Sequence, residues 1–254
     1  MTRTHEIRPD LDEGIDRKVL SQLRARFLKL NEGRMARAME GLSTRQQGVL
    51  NLLPLFLHVN HPLLPGYVSG STPAGLSNFE PDASVLAEAQ RLTRSFSYKP
   101  RHGSNPPRPI HGLFLMGSLG TLAQAEQSDM DVWVCHSPDL SENELTELRR
   151  KCQLLETWAA SQGAEAHFFL IDPVRFVRGE RDSQLSSEDC GTTQHYLLLD
   201  EFYRTAIWLA GRTPIWWLVP VYEEANYDRY THTLTSKRFI RADETLDLGH
   251  LAYI

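Results

Sequence analysis

Apolar residues recur every three to four positions through Leu11, Ile15, Val19, Leu23, Phe27 and Leu30, with charged residues between them. The spacing predicts one long amphipathic helix, or two, over residues 11–42. Thr44 is placed to cap a second helix over Arg45 to Val59, with Pro54 inside it as a candidate kink. Residues 60–80 are rich in Pro, Gly and Ser and read as a loop. A short helix is expected over Pro81 to Ser95, where Pro81 suits the first turn.

Beyond Tyr98 the pattern changes. The segment YKPRHGSNPPRP, residues 98–109, reads as a linker. Compact apolar runs then predict strands at Ile110–Met116, Asp131–Cys135, Glu165–Ile171 and Ile215–Val219. Helical spacing predicts helices over 141–162, closed by Gly163, and over Thr192–Ala210, closed by Gly211. A polar loop is expected over 178–191. The fold class is α+β: a small mixed sheet flanked by helices, with a helical N-terminal extension. The expected organisation is a helical part over 1–97, the basic Pro-rich linker over 98–109, and an α/β part over 110–254.

Composition narrows the partners. The 254 residues carry a formal net charge of -5, which gives no support for broad nucleic-acid binding. The opening residues lack the apolar core of a signal peptide, and no run approaches the roughly 18 apolar residues of a membrane span. A cytoplasmic protein with no membrane partner is expected. Cys135, Cys152 and Cys190 are widely spaced and form no CxxC pair, so they read as free thiols. The ending LDLGHLAYI carries no polar tail, as expected of a piece of a longer protein.

Candidate chemistry concentrates in MGSLGTLAQAEQSDMDVWVCH, residues 116–136. Residues two apart in a strand share a face, so Asp129 and Asp131 are expected to project together. Two neighbouring carboxylates repel unless a cation neutralises them, and magnesium favours one or two carboxylates with phosphate oxygens. Gly117 permits close backbone approach, and with the Ser118 hydroxyl it can cradle a triphosphate. An isolated Asp-x-Asp is common on solvated surfaces. This pair leads straight into an apolar strand, where unpaired charge is costly.

The Gly-Ser turn, spacer and Asp-x-Asp resemble the nucleotidyltransferase superfamily pattern. MGSLGT and SDMDVWVCH, with LHVNHPLLPGYVSG, HFFLIDPVRF and EDCGTTQHYLLLDEFYRTAIWLAG, resemble the N-terminal catalytic domain of class I, enterobacterial-type adenylate cyclases. The resemblance runs from about residue 11 to the end. It implies a DNA polymerase β-like nucleotidyltransferase fold and conversion of ATP to 3′,5′-cyclic AMP and pyrophosphate. It also implies two ions, magnesium or manganese, and a C-terminal regulatory region beyond this chain through which regulatory partners would act.

Asp129 and Asp131 are the expected metal ligands and catalytic carboxylates. The superfamily supplies a third carboxylate from a neighbouring strand. Glu165, early in its strand, is preferred to Asp172 at the strand's end. Gly117, Ser118, Gln194, His195, Arg204 and Trp133 are the candidate substrate contacts. Each has a plainer alternative: Arg204 in a salt bridge to Asp200 or Glu201, Gln194 and His195 as caps or core, Trp133 as packing beneath the site. The basic residues Lys99, Arg101 and Arg108 could fold over a triphosphate, although a linker is the simpler reading. Transfer of a nucleotidyl group to a separate acceptor, and nucleotide sensing without turnover, are the competing functions.

Overall fold

A computed structural model describes residues 11–12, 15–100, 108–117, 119, 129–180 and 191–251. Side chains are described from Ile15 onward and, in the helix that begins at Gly191, from His195. A two-residue antiparallel pair, β1 (Leu11–Asp12) with β2 (Ile15–Asp16), leads into α1 (Arg17–Glu40). The Asp16 carboxylate caps α1 by accepting from the Lys18 and Val19 amides. The inward stripe of α1 is Leu20, Phe27, Asn31 and Ala38. Helical spacing was therefore legible, but the stripe differs from the one expected. Leu11 lies in β1, and Leu30 is 52% exposed.

The second helix, α2 (Thr44–His58), is capped one residue earlier than expected, by Ser43. Ser43 accepts from the Gln46 amide, and the Gln46 side chain accepts from the Ser43 amide, so two orphan donors are satisfied reciprocally. The helix continues through Pro54. At its end His58 is buried, and its Nδ1 accepts from the Leu76 amide at 3.2 Å. Tyr98 Oη and Arg108 Nη1 lie 3.4 and 3.3 Å from its Nε2. Tyr98 donates to Glu80 at 2.9 Å, and Arg108 pairs with Glu80 at 3.7 Å. This network holds both ends of the Pro-rich segment on α2; residues 101–107, including Arg101, lie outside the described residues. The third helix, α3 (Ala83–Leu92), starts at an Asp82 cap.

The centre is a four-stranded mixed sheet in the order β5-β4-β3-β6. Its strands are β3 (Ile110–Met116), β4 (Met130–His136), β5 (Ala166–Ile171) and β6 (Ile207–Gly211). The central pair β3 and β4 is antiparallel, as is β3 with β6, whereas β4 and β5 are parallel. The parallel pair needs a crossover, supplied by α4 (Glu142–Ser161). A Ser141–Glu144 capping box starts α4, and Gly163 follows its end at φ +79°. A single turn, α5 (Pro173–Val177), follows β5, and α6 (Gly191–Thr205) precedes β6.

The α+β class is thus observed, but two expected elements are corrected. The helix expected to reach Ala210 stops at Thr205, and IWLAG instead forms the edge strand β6. Its apolar run fits either element locally; pairing with β3 decides. The run Ile215–Leu218, expected as a strand, is a 3-10 turn whose Ile215 and Leu218 pack in a small core with Leu20. It follows β7 (Thr213–Pro214), which pairs with β8 (Thr245–Leu246); a further 3-10 turn at Val221–Asn226 and α7 (Tyr227–Ser236) lie between.

Strand alternation gives the sheet two apolar faces. Leu113, Leu115, Val132, Val134, Phe168 and Leu170 join one core with α2 and α4. Residues before 98 and after 109 therefore share that core. Phe114, Trp133, Cys135 and Ile171 join a second core with Phe202 of α6. Along the open edge of β6, Asn31 donates to the Trp208 carbonyl at 2.9 Å and accepts from its amide at 2.8 Å. An amide side chain at an inward position of α1 thus satisfies edge groups that no strand pairs among the described residues. Cys135 and Cys152 are free and buried, and burial pushes the Cys152 thiol up to about 12. Cys190 lies outside the described residues. Among the described residues, no helix is long and apolar enough to cross a membrane.

Lys151 on α4 is 1% exposed, and its Nζ donates to the Gly66 carbonyl at 3.5 Å. Burial lowers its pKa from 10.5 to about 8. Between those values the unfolded chain holds the extra proton, so stability rises with pH across that window. Lys151→Met is therefore expected to stabilise the protein at pH 7 by about 1–2 kcal/mol. The advantage should shrink towards pH 10, as read by urea unfolding at both pH values.

Candidate active site

The carboxylates gather at one end of the sheet, where β4 and β5 begin and β3 ends. The antiparallel register sets Met116 opposite Asp131, and the parallel register sets Asp131 opposite His167. One step earlier the Met130 amide donates to the Glu165 carbonyl at 2.9 Å, which brings Asp129 beside Glu165. Asp129, Glu165 and His167 each present a ligand atom, all within 4.8 Å of one another. His167 Nε2 lies 3.4 Å from Glu165 Oε1. All three side chains are exposed, as access by a cation requires.

Asp131 stands slightly apart. It is half-buried, and the position of a Cβ on Gly117 would lie 3.4 Å from its Oδ2. Gly117 adopts φ +86°, a conformation that glycine takes without strain. The turn that leaves β3 therefore passes directly beside this carboxylate. Burial raises the Asp131 pKa above its ordinary 3.8; the His167 ring opposes that shift and Asp129 adds to it. Ser118 lies outside the described residues.

The other candidates fall elsewhere. Asp172 sits at the far end of β5, where its carboxylate accepts from the Val174 and Arg175 amides and caps α5. It does not meet Asp129. Trp133 is 2% exposed, stacked on Phe202 at 5.1 Å and edge-on to Phe176 at 5.5 Å. Both neighbours belong to the second core, so Trp133 packs beneath the site and offers no open face to a base. His195 is buried against Phe176, in the turn that follows the far end of β5. Arg204 Nε donates to Asp200 at 2.7 Å across one helical turn, and Arg204 is 71% exposed. For Arg204 the salt bridge is the arrangement observed. The Gln194 side chain lies outside the described residues.

His167 is the group that the sequence did not single out. Alternation put it on the face of Glu165, which was legible. Its place opposite Asp131 depends on which residues of β4 and β5 pair, and local sequence does not carry that information.

The family model described as adenylate cyclase NT domain matches residues 19–217. The chain belongs to that family. It is 44% identical over 238 residues, 92% of its length, to the adenylate cyclases of Salmonella typhimurium and Escherichia coli strain K12. Against the adenylate cyclase of Proteus mirabilis it is 42% identical over 233 residues. In each case the chain spans 27% of the relative's length. No solved structure matches it significantly.

A raised carboxyl pKa means that the fold favours protonated Asp131. Its contribution to stability is present below the ordinary value and is lost as pH rises through the folded value. In metal-free buffer at pH 7, Asp131→Asn should therefore raise the melting temperature, with the gain vanishing below about pH 3.8. Added magnesium or manganese should stabilise the wild type more than this variant. Differential scanning fluorimetry at both pH values, with and without metal, reads both effects.

Proposed function

We propose that this chain is a catalytic domain that converts ATP to 3′,5′-cyclic AMP and pyrophosphate. The observation that carries the reading is the 44% identity, over 92% of the chain, to proteins named adenylate cyclase. The site geometry supports it. Asp129 and Glu165 converge from two strands, Asp131 stands opposite His167, and the glycine turn at Gly117 adjoins Asp131. The convergence at the strand ends also supports a nucleotidyltransferase-type arrangement, with Glu165 as the third carboxylate.

The donor set fits a divalent cation. Oxygen and nitrogen atoms around one small ion stand roughly 3–4.4 Å apart. The ligand atoms of Asp129, Glu165 and His167 all lie within 4.8 Å of one another, and His167 Nε2 is 3.4 Å from Glu165 Oε1. When bound, divalent ions activate the 3′-hydroxyl and neutralise charge on the triphosphate. Asp129 and Glu165 would hold and orient the cation, and Asp131 would give a second anionic position for the expected second one. Gly117, with no side chain, leaves room for phosphate beside Asp131, and the expected Ser118 hydroxyl would extend that contact. In the reaction, the 3′-oxygen forms a bond to the α-phosphorus as the bond from that phosphorus to the bridging oxygen breaks. Pyrophosphate leaves with the electron pair, and the hydroxyl proton passes to solvent or base. Trp133, stacked on Phe202, would keep the strand beneath the carboxylates rigid. A cytoplasmic location and regulation through a further C-terminal region belong to the same reading.

Chromatographic analysis of products from ATP with magnesium or manganese tests it. Wild type should yield cyclic AMP and pyrophosphate. Asp129→Asn and Asp131→Asn should each lose about 1000-fold or more in rate, about 4 kcal/mol of transition-state stabilisation, while remaining folded. A nucleotidylated product that appears only with an added acceptor would replace cyclisation by transfer. Metal-dependent ATP binding with no product would point to a sensor.

A further inference from the structure

Register and alternation together aim a histidine at the carboxylates. His167 stands opposite Asp131, shares the strand face of Glu165, and has its Nε2 3.4 Å from Glu165 Oε1. With Asp129 and Glu165 it forms the group of ligand atoms within 4.8 Å. Two of these donors are hard carboxylate oxygens. The third is an imidazole nitrogen, which suits transition ions better than it suits magnesium. Magnesium also holds its waters tightly and prefers carboxylate and phosphate oxygens. Manganese accepts the same oxygens and follows the first-row order in its affinity for nitrogen.

We propose that His167 is a nitrogen ligand of the cation held by Asp129 and Glu165, and that it biases this site towards manganese over magnesium. The proposal rests on the metal-dependent reading of the site given above. It separates the roles of the four side chains: His167, Asp129 and Glu165 converge on one cation, and Asp131, turned to Gly117, is left to the expected second one. Half exposure of the imidazole, at 47%, leaves it accessible to an incoming ion.

Electron spin-echo envelope modulation of bound manganese tests ligation without turnover, because it registers a nitrogen nucleus bonded directly to the ion. The probe is Mn2+ with inorganic pyrophosphate, which offers phosphate oxygens and no nitrogen. Magnesium affinity is read by displacement of the manganese signal. The wild type should show directly bonded nitrogen and bind manganese about tenfold or more tightly than magnesium. His167→Gln should lose the nitrogen signal and about tenfold in manganese affinity, with little change for magnesium. Manganese bound to the wild type without nitrogen coupling, or coupling that persists in His167→Gln, overturns the ligation and leaves the carboxylate site standing. Equal loss of both metals in the variant overturns the selectivity. No manganese binding by the wild type, with Asp129→Asn indistinguishable from it, removes the metal-dependent reading itself.

Discussion

The parallel register of β4 and β5, with Asp131 opposite His167, determines which chemical groups meet at the head of the sheet. A shift by one residue would turn His167 and Glu165 to the other face, into the core of α2 and α4. That cost is what secures the register. Phe168 and Leu170 are buried on one face and Ile171 on the other, so apolar burial on both sides holds β5 in place. The α4 crossover makes the parallel pairing possible, and its caps and buried stripe make α4 a stable element. Convergence of Asp129 and Glu165 is thus a consequence of packing well away from the carboxylates.

The same arrangement explains why charge can be concentrated there. Asp129 and Glu165 lie just outside the first residues of their strands, where the side chains reach solvent and desolvation is small. Asp131 is one step further in, and burial already disfavours its charged form. A cluster of this kind carries an electrostatic cost that a cation removes, so affinity for metal and instability without it share one origin. Stacked aromatic rings beneath Asp131, Trp133 on Phe202 and Phe114 edge-on to Phe202, give the site a stiff floor.

The N-terminal helices act as a wall of the sheet. Phe56, Leu53 and Val49 of α2 share a core with Leu113 and Val132, and Asn31 of α1 closes the outer edge of β6. His58 then meets Tyr98 and Arg108, described residues on either side of 101–107. The buried histidine thus ties both residues to the helix on which the sheet rests.

Local sequence determined the elements with strong period or strong caps. The strands of IHGLFLM and MDVWVCH, the α4 helix ended at Gly163, and the α+β class all follow from spacing and end signals that act within a few residues. It also determined that Asp129 and Asp131 share a strand face, whereas the β3–β4 register brings Gly117 beside Asp131. Tertiary structure alone decided the rest. IWLAG is a strand because β3 offers it a partner, and IWWL is a 3-10 turn because its apolar side chains are buried against α1 instead of in a sheet. His167 is a neighbour of Asp131 for the same reason, whereas the Asp172 cap and the Arg204–Asp200 pair are contacts within four residues of the chain. The strand IWLAG, the turn IWWL and the place of His167 depend on which segments pair or pack, and those contacts join residues too far apart in the chain for any local pattern to record.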